Sequence, residues 1–232
     1  SHFGFLERPR MFNGYANIAN LFTTIKPRVF CLSEGIKKIY QVLMDIPEER
    51  LYITPNGVNL SAFRFSEKPI FGDRSIYLAK VDYRKRQHLF QSIDSLYYAG
   101  NVADDRFNKN KNYLGEWSKK HLYQNLTEYG NLVLLSDGEA HPLVCMEALA
   151  AGLGVVISEY ATANLDTSKD FITVIPENKI KDIEYVESEI IKNRDFSVGH
   201  RSDIIDYSQQ FDWKETIKKY YIPSINQILN HG

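Results

Sequence analysis

Two glutamates, Glu139 and Glu147, lie eight positions apart in a stretch running from Ser136 to Gly152. A carboxylate with two acceptor oxygens is suited to holding hydroxyl groups. The stretch is flanked by two apolar, strand-like runs, 131–135 and 154–157, and residues 143–151 between them read as a short helix. This spacing puts Glu139 in a loop at the carboxyl end of a strand and Glu147 within the following helix. In an open parallel sheet the crevice at those strand ends is where ligands bind. Two carboxylates alone would favour a helix-capping loop followed by one exposed helical Glu, and it is the surrounding context that overturns that reading. A second set of charges, Lys80 and Lys85, follows the apolar run 75–79. Their neighbours Arg84 and Arg86 read as a solvated loop, as does the acidic pair Asp104-Asp105. No nucleophile–His–acid triad, Gly-rich phosphate loop or metal-ligand cluster is legible.

The elements that must position these groups alternate strand and helix from about residue 26, the signature of an α/β protein with a mainly parallel sheet. Strands are expected at 28–32, 50–54, 75–79, 95–99, 131–135, 154–157 and 171–175. Helices are expected at 34–45 (capped by Ser33), 86–94, 119–126 (preceded by Ser118), 143–151, 182–193 and 200–209. A last helix over 213–229, capped by Asp212, should be kinked or interrupted at Pro223. Pro55-Asn56-Gly57 is turn chemistry, and residues 59–72 read as a linker. Residues 101–112 are polar and charged, a surface loop.

With 28 basic and 29 acidic side chains in 232 residues, the chain carries no field that would select nucleic acid. Its 15 Tyr and 13 Phe are expected mostly in the core. Cys31 and Cys145, each in an apolar context without C-x-x-C spacing, read as buried free thiols, which suits a reducing compartment. No apolar run is long enough to span a bilayer. The start at Ser1-His2 without Met suggests a tag remnant or an excised fragment, with no signal peptide in view.

Five segments, in order, resemble family 4 glycosyltransferases of the GT-B fold. Val29-Phe-Cys-Leu-Ser33 looks like the strand ending in Ser near the close of the amino-terminal domain. Ile53-Thr-Pro-Asn-Gly-Val-Asn59, with Phe63, is similar to the P-N-G-V-x-x-x-x-F hinge. The run Tyr77-Leu-Ala-Lys80 through Lys85 matches G-R-x4-K, with Ala79 for Gly and Lys80 for Arg. Tyr113-Leu-Gly115 corresponds to the F-x-G strand end, and Glu139 and Glu147 form E-x7-E. The resemblance implies an α/β fold, a GT-B type Rossmann-like doubly wound parallel sheet with a partial first domain. It also implies a hexosyltransferase-type enzyme moving a sugar from a nucleoside diphosphate sugar to a glycan or lipid-linked acceptor, retaining and without a metal or other cofactor.

Breaking the bond from the sugar's anomeric carbon to the diphosphate builds negative charge on the phosphate and positive charge on the ring. Stabilising that phosphate lowers the barrier. By the resemblance Lys80 and Lys85 hold the diphosphate and Glu139 faces the sugar, and these are the expected catalytic residues. Lys80 keeps the charge of the usual Arg but not its bidentate fork. Glu147 takes the ribose hydroxyls, and Gly115 and Glu116 lie near the nucleobase. Backbone amides of His141, Leu143 and Val144 face phosphate or sugar oxygens at the helix start. Ala140-His141-Pro142 replaces the commoner Gly-Phe-Gly, which stiffens the loop and offers the His141 ring to a sugar hydroxyl. Trp117 is expected in the core.

The resemblance divides the chain into an acceptor-side remnant at 1–60, a hinge at 61–72, a nucleotide-sugar-binding domain at 73–210 and a helix at 211–232 that packs back on the amino-terminal part. Phe3, Phe5, Phe12, Tyr15 and Phe22 belong to the remnant. Partners expected are the donor and the acceptor, with no nucleic acid and no transmembrane segment. Localisation is expected to be cytoplasmic, with peripheral membrane association through the missing domain. Two other readings stand beside the transferase: a non-catalytic nucleotide-sugar-binding module, and a sugar-nucleotide epimerase of GT-B-like architecture. The P-N-G-V hinge together with E-x7-E favours the transferase over the epimerase.

Overall fold

A computed structural model describes residues 16–230. Phe3, Phe5, Phe12 and Tyr15 of the expected remnant lie outside the described residues. The strands form two parallel sheets. In the smaller, β1 (Val29–Cys31) pairs with β2 (Leu51–Ile53). The helix between them, α2 (Glu34–Leu43), starts where the Ser33 hydroxyl accepts the Ile36 N–H. Its apolar face puts Ile36 and Tyr40 onto Cys31, Met44, Ile46 and Leu51, a small core of its own. Phe22 of α1 (Ala16–Ile25) packs on Tyr40, with ring centroids 5.9 Å apart.

The larger sheet contains β3 (Phe71–Leu78), β4 (Leu96–Ala99), β5 (Tyr129–Leu134), β6 (Gly154–Ser158) and β7 (Ile172–Ile175), in the order β4-β3-β5-β6-β7. Every residue of β5 and β6 is buried, as expected for strands covered on both faces. The helices α3 (Lys119–Asn125), α4 (Leu143–Ala150), α5 (Ile183–Gly199) and α6 (Arg201–Ser208) complete this unit. Together with β3 and β5–β7, α5 closes one side of the sheet, while α4 lies on β5 and β6 and meets α6. The chain leaves β3 toward β4 and then returns to place β5 on the other side of β3. The order therefore reverses between β3 and β5, and a crevice opens at their carboxyl ends.

The segment joining the two units is fastened to the larger one. Arg64 N donates to Tyr123 O at 2.9 Å, Ser66 N to Thr127 Oγ1 at 2.9 Å and Ile70 N to Glu128 Oε2 at 3.0 Å. After α6, Val58 bridges to Asp212, and Val58 N donates to Phe211 O at 2.7 Å. The closing helix runs without a gap over 213–230 but is not α-helical throughout. A short α7 (Trp213–Thr216) passes into a π turn over Ile217–Tyr221 and then α8 (Ile222–Asn230). Pro223 sits just past the π turn, where its missing N–H leaves one helical acceptor without a donor.

Three expectations are corrected. Residues 86–94 form no α-helix, only a 3-10 turn over Gln87–Phe90, because Arg86 stands in the left-handed region at φ 58. Arg86 itself is buried rather than solvated. Its guanidinium reaches Asp137 at 2.8 Å and Glu177 at 2.8 Å, two acids far along the chain. The 101–112 stretch is irregular, yet Asp104 within it is buried: Arg106 grips both its oxygens at 2.8 Å, and Phe107 and Asn112 are buried beside it.

Candidate functional site

The loops after β3 and β5, the two strands at the reversal, carry the charged groups that the sequence singled out. After β3 the chain turns sharply at Asp82, whose carboxylate accepts the N–H of Arg84 at 3.0 Å and of Lys85 at 3.1 Å. Tyr77, wholly buried in β3, donates its hydroxyl to the Lys85 carbonyl and accepts the Leu135 N–H at 2.9 Å. One phenol thus ties the lysine loop to the end of β5. Burial raises its pKa, so it keeps the proton it donates.

Lys85 Nζ lies in direct contact with Glu139 Oε1, and both side chains are largely out of water at 14% and 15% exposure. Glu139 follows Gly138, which adopts φ 125, and its own N–H is held by Tyr160 O at 2.9 Å. Glu147 is the one acid on α4, among the buried residues Cys145, Met146, Ala148, Leu149 and Ala150. Such a carboxylate needs a partner, and Lys119 from α3 supplies it in direct contact with Glu147 Oε1. The two E-x7-E carboxylates therefore each meet a lysine. The Cys145 thiol, buried beneath them, is pushed up in pKa by burial and then by Glu139, so it stays a protonated packing residue.

The other expected residues fall around this centre in different ways. Lys80 is exposed at the carboxyl end of β3, and its carbonyl accepts Gln87 Nε2 at 3.1 Å. Gly115, at φ 77, has open space on its Cβ side, and its carbonyl accepts the Gly100 N–H at 2.9 Å. Gly100 is required there, since a Cβ would sit 2.0 Å from Ala79 O. The exposed Glu116 lies with Leu114, Trp117, Ser118, His121 and Tyr129 around a recess of about 400 Å³. Trp117 is half-buried, with the His121 ring 4.6 Å and the Tyr129 ring 6.0 Å from it. At the start of α4 the Leu143 N–H is already engaged by His141 O at 2.8 Å. Of the three amides expected to face an outside oxygen, those of His141 and Val144 have no backbone acceptor among the described residues.

The ring of His141, expected toward a sugar hydroxyl, is occupied by protein. Nε2 is 3.1 Å from Asn56 O and Nδ1 is 2.8 Å from Asn164 Nδ2. Burial lowers its pKa, with the Asn56 contact opposing in part. A second cavity, of about 460 Å³, opens between the two units. It is lined by Ser33, Glu34 and Gly35 at the start of α2 and by Gly138, Glu139 and Tyr160 across from them.

Sequence reasoning missed Tyr77, Asp82, Lys119 and Asn164. Asp82 was readable, because an Asp whose side chain caps the amides two and three residues on is a known turn former. Lys119 looked like any lysine on a solvated helix face, and nothing local marks Tyr77 or Asn164.

This is the fold of the GT-B glycosyltransferases, in which a Rossmann-like parallel sheet places its loops on a crevice at the strand ends. HepE of Anabaena, in a crystal structure with UDP and glucose, superposes with a TM-score of 0.71 at 12% identity, over 95% of this chain and 67% of HepE. Sucrose-phosphate synthase from Thermosynechococcus elongatus gives 0.69 at 15% identity, over 92% and 62%. TarM gives 0.66 at 13%, over 92% and 46%. The chain spans from about half to two thirds of the length of these structures. No protein-family model matches the chain, nor does the sequence of any curated protein.

Proposed function

We propose that the chain is the nucleotide-sugar-binding part of a glycosyltransferase, with its donor in the crevice between the β3 and β5 loops. The observation that carries this reading is the contact of Lys85 with Glu139 at the point where the strand order reverses. A cation and a carboxylate side by side match the two charges that sugar transfer creates. Lys85, with Lys80 from the same loop, takes the negative charge growing on the departing diphosphate. Glu139 faces the ring as it becomes oxocarbenium-like. Glu147, which holds Lys119 with one oxygen, accepts the ribose hydroxyls in this reading. The recess beside Gly115, Glu116 and Trp117 receives the base.

In the transfer the anomeric C–O bond to the diphosphate breaks with its electron pair going to the phosphate oxygen. The acceptor's hydroxyl oxygen bonds to the anomeric carbon and passes its proton to the departing phosphate oxygen. Because lysines supply the positive charge at the phosphate, the reaction runs without a metal. We assign it retention of configuration and a glycan or lipid-linked acceptor, held in the cleft facing α2. Cytoplasmic placement and peripheral membrane contact belong to the same reading.

Isothermal titration against UDP-, GDP- and ADP-sugars tests it: one nucleotide class should bind, and Lys85→Ala should weaken it. Glu139→Ala should spare plain nucleoside diphosphate and impair the sugar-bearing donor. Absence of binding by all three classes would end the donor reading, and loss of transfer by the full-length enzyme in EDTA would end the metal-free one.

A further inference from the structure

The contacts of His141 fix its protonation state, and through it a link between the two units. Asn164 Nδ2 lies 2.8 Å from Leu32 O and 2.8 Å from His141 Nδ1. A carbonyl oxygen only accepts, so the amide nitrogen must be the atom facing Leu32. Its second hydrogen points at Nδ1, which must therefore be bare. The ring proton is then on Nε2, where it donates to Asn56 O at 3.1 Å. Asn164 holds this position at φ 63, a left-handed conformation that Asn tolerates better than most residues.

These bonds join four places: Leu32 just after β1, Asn56 just after β2, the Glu139 loop and the turn after β6. The same turn also holds the Glu139 N–H through Tyr160 O, and Ala140 packs on the small core around Cys31 and Tyr40. We propose that His141, as the neutral Nε2–H tautomer, and Asn164 form a clasp that holds the β1–β2 unit against the Glu139 loop and so sets the width of the cleft above Glu139. Both act as positioning residues; the consequence for sugar transfer rests on the donor reading given above, the clasp itself does not. Protonation of Nδ1 would turn N–H against N–H and release it. The charged groups facing the clasp are Glu34 on α2, Glu139 in its own loop and Glu159 after β6. Lys85 neutralises Glu139, and Glu159 accepts the Glu177 N–H.

The test places spin labels at Val42→Cys on α2 and Lys181→Cys on the larger unit, both exposed, with Cys31 and Cys145 buried and unlabelled. Distances between the labels are measured by double electron–electron resonance. The parent should give one narrow distribution at about pH 8 that broadens only as pH falls below the ordinary imidazole range, because burial keeps the His141 ring neutral to lower pH than usual. His141→Phe and Asn164→Ala should broaden it at the higher pH as well, whereas His141→Gln, whose amide can donate and accept in the same places, should restore it. UDP-glucose affinity should fall about tenfold relative to UDP in the broadened variants, the scale of one lost polar contact. Imidazole nitrogen NMR should show Nδ1 unprotonated. A distribution unchanged in folded His141→Phe and Asn164→Ala, or an Nδ1–H tautomer, would overturn the clasp. If no UDP-, GDP- or ADP-linked nucleotide or sugar binds the parent, the donor reading fails and the distances alone judge the clasp; if another class binds, that nucleotide and its sugar replace UDP and UDP-glucose as the probes.

Discussion

Removing Lys85 should cost more stability than removing both Lys85 and Glu139. The two side chains touch at 14% and 15% exposure, so the site has given up most of the water that would screen them. Unit charges in near contact attract by roughly 4 kcal/mol at an effective dielectric of about 20, and desolvation of both groups offsets much of that. Lys85→Ala leaves Glu139 ionised, largely buried and without its cation, which costs about 3–5 kcal/mol for a fully buried pair. With the residual exposure here, about 2–3 kcal/mol is expected. Lys85→Ala/Glu139→Ala removes the orphaned charge, and its cost should fall to about 1 kcal/mol, the packing of two side-chain stems. Urea unfolding of the parent, both single variants and the double gives the coupling energy directly. Nucleoside diphosphate affinity of Lys85→Ala should drop by about 1.5–3 kcal/mol in the same preparations. Equal stability for Lys85→Ala and the double variant would refute the pairing argument. Undiminished nucleotide affinity would refute the role of the lysine.

Glu147→Ala should weaken UDP by about 1.5–3 kcal/mol and 2′,3′-dideoxy-UDP much less, a difference that titration calorimetry reads directly. Gly57→Ala places a Cβ 2.7 Å from the Trp213 ring and 2.8 Å from its Cα. Since backbone cannot yield as a side-chain tip does, a loss of about 1–3 kcal/mol in urea unfolding is expected. His141 is depressed by burial, so the unfolded chain binds its proton more readily than the folded one. Stability from this group is therefore complete above the ordinary histidine pKa of about 6.5, falls as pH drops through it, and levels off below the folded value. His141→Gln should flatten that part of the stability–pH curve, and an unchanged curve would count against the buried neutral ring.

Much of this molecule was written locally. Continuous apolar runs such as 131–135 and 154–157 marked the central strands because both their faces are covered, and Ser33, Ser118 and Asp212 marked helix starts because each caps an amide in its own first turn. Glu139, Glu147 and Lys85 were legible as a group because each occupies a strand end or the helix after it, and an order of strand ends is a property of sequence. Pairing was decided elsewhere. Which cation meets which acid depends on β3 and β5 becoming neighbours across 54 residues, and on α3 swinging Lys119 over α4. Arg86 looked solvated because its partners Asp137 and Glu177 are remote in the chain, and the left-handed turn it occupies stands where a helix was expected to start. The ring of His141 was open to a sugar in the sequence, where no neighbour claims it. Folding brings Asn56 and Asn164 to its two nitrogens, and hydrogen-bond geometry, which acts only at contact distance, then fixes its tautomer and its task.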